Sequence, residues 1–517
     1  MSLLAAATLW ELVEKRAATS ADKEMTVDED GRRITFGEYK AAAERAAAGL
    51  ASRGIGAGRV VSWMLPTWHE SLILAAALSR LSAVQNPIIP IYREREVGFI
   101  AGQAGVDVLM VPSRWRNFDY EAMAGEVARQ NGGRPEVLVC DRSLPEGDPA
   151  VLPGAPELPS PPEDAPVRWL FYTSGTTADP KGAQHTDATI MAAARGMVAC
   201  LDFGPEDRGA LAFPFTHIAG PIWLCSSLMT GGANIIIEMF DPERTVAVLR
   251  RERVTMAGSG TLFHQAYLAA QRKSPGERLF PYLRNCPGGG APKPPQLHYD
   301  VKNELGGIGI VSGWGLTEAP ILTMARHDDP DEKLAHTEGP PMPGVELRVV
   351  TLEGRPAGPG QEGELRARAP QLMRGYLDEK LDADAFDGDG FFRTGDLGMV
   401  DAQGYVTITG RLKDVIIRKG ENISAKEVED LLYLHPKVAD VAVIGLPDPN
   451  TGERCCAVVS VKAGEEPLGF AEMQEFLKGK GLRMQAVPEQ LELVDVVPRN
   501  PSGKILKHKL QEQLAGR

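Results

Sequence analysis

The sequence predicts an α/β protein of more than one domain: a large N-terminal domain with parallel-rich sheets, carrying a β-rich subdomain, then a small α+β C-terminal domain. Three observations carry this. At 517 residues, 43% hydrophobic and 24% charged, the chain exceeds one ordinary domain and has a globular composition. Its first 140 residues alternate helical and strand periodicities, which implies right-handed crossovers and a mainly parallel sheet. Two later changes of pattern follow, to short alternating runs from Val345 to Ile408 and to mixed helix and strand after Gly410.

Taken in order, Thr8 or a neighbour opens a first helix. Thr35-Phe36-Gly37-Glu38 reads as a capping box starting an Ala-rich helix that stops near Gly54. Arg59 to Leu65 reads as a buried strand, and Thr67-Trp68-His69-Glu70 as a second capping box for an apolar helix towards Leu81. Val106 to Val111 is a further short apolar run, and eight prolines between Pro145 and Pro166 read as an extended surface connection. Val167 to Phe171 is the central strand. Ser424-Ala425-Lys426-Glu427 is a third capping box, its helix stopped at His435-Pro436. Strands at Val438 to Ile444 and Cys456 to Val461 and a helix from Ala471 complete the C-terminal pattern.

The net charge of −13 and a pI near 5.4 argue against nucleic acid as a main partner. Six cysteines without metal-ligand spacing fit a reducing cytoplasm better than a disulfide framework. The longest apolar stretch, Leu72 to Leu78, falls far short of the about 18 residues that span a bilayer. The start of the chain lacks a basic leader and reads as mature protein.

Four stretches carry chemistry. Tyr172-Thr173-Ser174-Gly175-Thr176-Thr177-Ala178-Asp179-Pro180-Lys181-Gly182 gathers hydroxyls, glycines and a lysine behind a strand, the makings of an anion nest, although a polar surface turn has the same composition. Pro180 before Lys181 separates it from the common nucleotide-triphosphate loop. Ser312-Gly313-Trp314-Gly315-Leu316-Thr317-Glu318 offers an aromatic plane for a base and a carboxylate for Mg²⁺; packing and capping are the plainer uses. Phe392-Arg393-Thr394-Gly395-Asp396 offers a carboxylate for a ribose diol, or an Asx turn. Pro498 to Lys504 ends on a lysine in a glycine-containing loop, which on its own also fits a solvated face.

Together, in this order and spacing, these stretches resemble the acyl-adenylate-forming superfamily, and its acyl-CoA synthetase branch in particular. The resemblance covers essentially the whole chain. It implies an N-terminal adenylate-forming domain over 1–410 that binds ATP and the acid, and a mobile C-terminal domain over 411–517 hinged at Lys413. It implies ATP, Mg²⁺ and CoA as cofactor and co-substrates. Thr173, Ser174, Gly175, Thr176, Thr177 and Lys181 are then the grip on the β- and γ-phosphates, and Gly290, Ala291, Trp314 and Gly315 complete the nucleotide site. Thr317 contacts the α-phosphate, Glu318 with Thr176 holds Mg²⁺, and Asp396 and Arg411 bind the ribose. Lys504 reaches the carboxylate and α-phosphate; with Lys181, Thr317 and Glu318 it makes the catalytic set. Lys419 and Gly420 sit in the segment that lines the pantetheine tunnel. Ala178 and Lys419 depart from the glycines usual at their positions, and neither departure removes a catalytic charge.

The acid pocket in relatives points to His217, Ile218, Ala219, Ile222, Gly258 and Gly288. No aspartate follows Phe215 to hold an ammonium, so an amino acid is disfavoured. His217 flanks the acyl group by resemblance, and a hydrogen-bonded structural histidine is the alternative. The implied reaction is ATP-dependent, AMP-forming ligation of an apolar small-molecule carboxylic acid, medium- or long-chain fatty or alicyclic, to CoA. No carrier-protein segment follows Lys504, which favours CoA over a separate carrier protein; a non-catalytic ligand-binding descendant is disfavoured by the intact charged residues. A homodimer is among the assemblies left open, and relatives make Lys504 a candidate target for a lysine acetyltransferase.

Overall fold

Six strands build the sheet that carries the candidate phosphate loop. In the computed structural model, which describes residues 3–158, 165–173, 179–418, 421–500 and 503–515, their spatial order is Lys181–His185, Trp169–Thr173, Val84–Pro87, Val60–Trp63, Val108–Val111 and Glu136–Val139. The four pairings from Trp169–Thr173 outward are parallel, and the edge hairpin of Trp169–Thr173 with Lys181–His185 is antiparallel. A second sheet orders Arg208–Leu211, Ala233–Ile236, Glu24–Val27 and Arg33–Thr35. One continuous core joins both sheets through Val61, Trp63, Val27 and Ile235 and through the helices between them. Helix His69–Arg80 is buried along its whole length, which fits a middle, Leu72 to Leu78, that is apolar on every face.

The capping signals fared unequally. Thr8 and Thr35 cap helices Leu9–Ser20 and Phe36–Ala51 as expected, Thr35 with the full reciprocal box to Glu38. Ser424 accepts the Glu427 N–H at the head of Ala425–Tyr433, and its own hydroxyl donates to the Thr409 carbonyl. The second box is corrected. Helix His69–Arg80 begins at Trp68 without a side-chain cap, because the Thr67 hydroxyl accepts from Phe215 N–H and donates to the Phe213 carbonyl instead. Glu70 pairs with Arg32 rather than folding back on the helix.

The β-rich subdomain is an antiparallel sheet of Glu346–Val350, Gly363–Arg368, Phe392–Val400 and Val406–Arg411. Its inner face, Leu365, Ala367 and Val406, packs on Trp314 and Leu322. A turn at Leu412–Asp414 then leads to the C-terminal domain. There, Ile416–Arg418, Glu421–Ile423, Val438–Asp448, Gly452–Val461 and Gln490–Leu493 form one sheet. Helices Ala425–Tyr433 and Phe470–Gly479 cover one face and Lys507–Leu514 the other, so the long central strands are apolar on both sides. Both of those cores draw only on residues from Ile416 onward, the property of a unit that folds around its own interior. The α/β fold with a large N-terminal and a small C-terminal domain is thus as expected.

Candidate active site

The hairpin register pairs Thr173 with Lys181, which closes the candidate phosphate loop at its base. Of that loop, Ser174, Gly175, Thr176, Thr177 and Ala178 lie outside the described residues, as do Lys419 and Gly420 of the C-terminal segment. Along the strand beyond Lys181, His185 is wholly buried, with Nε2 2.8 Å from the Thr317 carbonyl and Nδ1 3.0 Å from the Thr189 hydroxyl. A carbonyl only accepts, so Nε2 carries the proton and donates it to Thr317. Burial pushes this imidazole down to about 4, which keeps it in that neutral form. The strand that starts at Lys181 therefore also fixes the backbone of Thr317.

Glu318 follows, 9% exposed, its backbone carbonyl accepting from Met373 N–H at 2.8 Å. Its Oε1 accepts a 2.7 Å hydrogen bond from the Tyr376 hydroxyl, and the Lys181 ammonium stands 5.4 Å from the centre of the Tyr376 ring. Among the described residues, no cluster of three or more metal-ligating side chains occurs. Glu318 is a single buried carboxylate beside a phosphate loop. That fits Mg²⁺, which usually takes one or two protein carboxylates and completes its shell with substrate phosphates and water.

Strands Cys286–Gly289 and Ile310–Trp314 run parallel, with Gly289 opposite Gly313, so Gly290, Ala291, Trp314 and Gly315 gather at one sheet end. Gly315 is a close-approach position: a Cβ there would lie 2.3 Å from the Ile321 nitrogen. Trp314 is almost buried and its indole N–H donates to Asp396 Oδ2 at 2.7 Å. Arg411 lies opposite Asp396 across the strand pair, its Nε 2.7 Å from Oδ1. Asp396 is thus 3% exposed and anchored through both oxygens. Each oxygen keeps a further lone pair that a diol could use.

Lys504 sits on a tight turn in which Gly503 adopts φ +87°, and its backbone N–H donates to Asn500 Oδ1 at 2.9 Å. A Cβ on Gly503 would stand 3.5 Å from Leu262, so this turn packs on helix Thr261–Arg272 of the N-terminal domain. Burial, then Arg411 and Lys413, push the Lys504 ammonium down to about 8, opposed by Asp396 and Asp414. Burial and the Lys504 charge in turn push the His217 imidazole down to about 4. Lys504, Arg411, Asp396, Lys413 and His217 therefore share one electrostatic neighbourhood, though they come from both domains.

Beside it opens a small pocket lined by Pro87, Ile88, Ile89, Tyr92, Phe171, Tyr172, Thr216, His217, Ile218 and Thr317. Of the six expected pocket residues His217 and Ile218 line it. Ala219, Ile222, Gly258 and Gly288 do not line this cavity: Ile222 is in the core at 1% exposure, and a Cβ on Gly288 would press on Ile310 at 3.0 Å. The sequence reading missed Pro87 to Tyr92. The signal available was positional, since this segment leaves the C-terminal end of a parallel strand, where open α/β sheets bind ligands.

The AMP-binding enzyme family matches residues 13–377, and the AMP-binding enzyme C-terminal domain matches residues 427–504. The chain is 29% identical to a medium-chain fatty-acid–CoA ligase of Escherichia coli (strain K12), over 99% of this chain and 91% of that protein. It is 32% identical to a salicyl-AMP ligase / salicyl-S-ArCP synthetase of Mycobacterium tuberculosis, over 93% and 85%. The fold superposes on ATP-bound MatB from Rhodopseudomonas palustris with a TM-score of 0.86, 27% identity and 98% of each chain covered. The family match across both domains leads to one conclusion. The chain belongs to the AMP-binding enzyme family, in the acyl-CoA synthetase branch of the acyl-adenylate-forming superfamily, and is an AMP-forming acid ligase.

Proposed function

We propose that this enzyme converts an apolar carboxylic acid to its acyl-CoA through an acyl-adenylate, and that the medium-chain or alicyclic range suits it best. The observation that carries the reading is the convergence of Lys504, Arg411, Asp396 and His217 beside an apolar cavity that reaches Thr317. The acid lies along Ile88, Ile89, Phe171 and Ile218, with its carboxylate towards Thr317 and Lys504. Walls of this kind bury carbon and offer no carboxylate for a buried ammonium, and the relationship to a medium-chain fatty-acid–CoA ligase supports that size range.

In the first half-reaction a carboxylate oxygen attacks the α-phosphorus of ATP, the bond from that phosphorus to the bridging oxygen breaks, and pyrophosphate leaves. Lys181 and the loop from Thr173 hold the β- and γ-phosphates, Thr317 the α-phosphate, and Asp396 with Arg411 the ribose. Lys504 bridges the carboxylate and the α-phosphate, offsetting negative charge as the two approach. Mg²⁺, when bound at Glu318, supplies charge neutralisation on the phosphate oxygens. In the second half-reaction the CoA thiol, losing its proton, attacks the acyl carbon and AMP departs. Lys413, on the turn Leu412–Asp414, is the proposed hinge between 1–410 and 411–517 for the change of partner, which brings the segment with Lys419 and Gly420 to the site.

The relationship to a salicyl-AMP ligase / salicyl-S-ArCP synthetase supports a second reading, an acyl-adenylate delivered to a carrier protein. One experiment separates them. A panel of linear, alicyclic and aromatic acids with ATP, Mg²⁺ and CoA, read by mass spectrometry, is expected to give AMP and an acyl-CoA from a medium-chain or alicyclic acid. Acyl-AMP without thioester would favour the carrier reading, and neither AMP nor acyl-CoA from any acid would overturn both. The reading also places the enzyme in the cytoplasm, where ATP and CoA are available; no helix among the described residues is long and apolar enough to cross a membrane. Self-association to a homodimer and control by a lysine acetyltransferase acting at Lys504 belong to the same proposal.

A further inference from the structure

Lys181 and Glu318 are oppositely charged residue types that both meet one aromatic side chain, Tyr376. The Tyr376 hydroxyl donates to Glu318 Oε1 at 2.7 Å, and the Lys181 ammonium faces the ring of the same residue at 5.4 Å. No ion pair joins Lys181 to Glu318 among the described residues, although such pairs are common elsewhere in the chain.

The segment bearing Tyr376 is held from several directions. Ala183 bridges to Tyr376 and the Gln184 side-chain amide donates to its carbonyl at 3.0 Å. Leu377 N–H donates to the Gly182 carbonyl at 2.8 Å, and Tyr376 N–H donates to Asp382 Oδ1 at 2.9 Å. From the other side Met373 N–H donates to the Glu318 backbone carbonyl. The β-rich subdomain therefore reaches across to the strand of Lys181 and to Glu318 at once, and one phenol meets both charges, its hydroxyl at Glu318 and its ring at Lys181.

We propose that Tyr376 is the positioning residue for the metal-binding carboxylate: it fixes Glu318 through Oε1 and keeps it from collapsing onto Lys181, leaving Oε2 for Mg²⁺ and the ammonium for phosphate. The proposal rests on the adenylation reading. A hydrogen bond to a carboxylate is among the stronger kinds, and a buried carboxylate that loses it takes the nearest cation instead. Glu318 and Lys181 would then neutralise each other at the moment the nucleotide needs both.

The test is ATP binding by calorimetry without acid, with and without Mg²⁺, for the wild type, Tyr376→Phe, Glu318→Gln and the double variant. The expected result is a loss in Mg²⁺-dependent affinity of about tenfold in Tyr376→Phe, the size of one charge-assisted hydrogen bond, and a smaller loss without metal, where only the hold of Lys181 on phosphate is weakened. In the Glu318→Gln background the Phe substitution should add nothing. Adding Lys181→Met to Tyr376→Phe should restore part of the ratio between affinities with and without Mg²⁺, because the competing cation is gone; a packing defect would not be rescued this way. An unchanged Mg²⁺ dependence in Tyr376→Phe, an equal loss with and without metal, or no rescue by Lys181→Met would overturn the proposal. A wild type that binds no ATP under either condition would overturn the adenylation reading itself, a separate result.

Discussion

Buried imidazoles set two properties of this enzyme. His185 holds the Thr317 carbonyl, and His264 Nε2–H donates to the Pro287 carbonyl at 3.1 Å. Replacing His185 with Leu leaves that carbonyl buried without a donor, at a cost of about 1–3 kcal/mol, and frees the backbone that presents Thr317. Pyrophosphate exchange should fall at least about tenfold, and His185→Gln, which can still donate, should recover part of it; equal losses in both variants would show the bond to be incidental. Burial also holds His185 and His264 at about 4 against an ordinary 6.5. Between those values the unfolded chain takes up protons the folded one refuses, so stability is lost as pH falls through 6.5 towards 4. Each histidine contributes up to about 1.4 kcal/mol per pH unit there. Urea unfolding at pH 7 and pH 5 should show the drop, and His185→Leu should flatten it. A third expectation concerns Lys504→Ala: adenylation is lost while thioester formation from supplied acyl-AMP largely survives, and a matching loss of both would remove Lys504 from its assigned part.

Capping residues show what an element reveals by itself. Thr35 was legible because its partners, Glu38 N–H and the Glu38 carboxylate, lie within four residues. Thr67 offers the same local pattern, but its hydroxyl goes to Phe213 and Phe215, 146 and 148 residues away, and no local reading reaches that far. The same limit applies to Ile222 and Gly288. They lie beside residues that matter, yet packing against partners distant in sequence turns Ile222 into core and closes the space over Gly288. By contrast Lys181, Glu318, Asp396 and Lys504 are candidates that short motifs already single out, while the contacts of Tyr376 with Glu318, of Trp314 with Asp396 and of His185 with Thr317 are made only by the fold. The two threonines can be told apart in solution. Thr35→Ala should cost about 1 kcal/mol of stability and leave turnover unchanged. Thr67→Ala loosens the segment that runs from Phe213 to His217 and should raise the KM for the acid several-fold; an unchanged KM would mean that this segment does not shape the pocket.

At the scale of the whole molecule, the proposed reading has the site completed only when the C-terminal domain docks, and on that reading docking has an electrostatic cost. Arg411, Lys413 and Lys504 converge there, with Asp396 and Asp414 as the countercharges that act on Lys504. Docked, the Lys504 ammonium stands at about 8; released into water it returns towards 10.5. Docking therefore sheds a proton between those values, and the docked state gains ground as pH rises through that window, by up to about tenfold per pH unit. Below pH 8 Lys504 is charged in both states and the repulsion is carried in full. ATP changes the balance, because its phosphates supply the missing negative charge and favour the ammonium. Nucleotide binding should thus drive closure at neutral pH and abolish its pH dependence. Fluorophores placed at exposed Glu206 and Glu466 would report this by energy transfer. Without nucleotide the signal should move towards its docked value as pH rises from about 8 towards 10.5; with ATP it should be docked throughout, and Lys504→Met should remove the pH response. A wild type whose energy transfer ignores pH in the absence of ATP would show that the Lys504 charge does not govern closure.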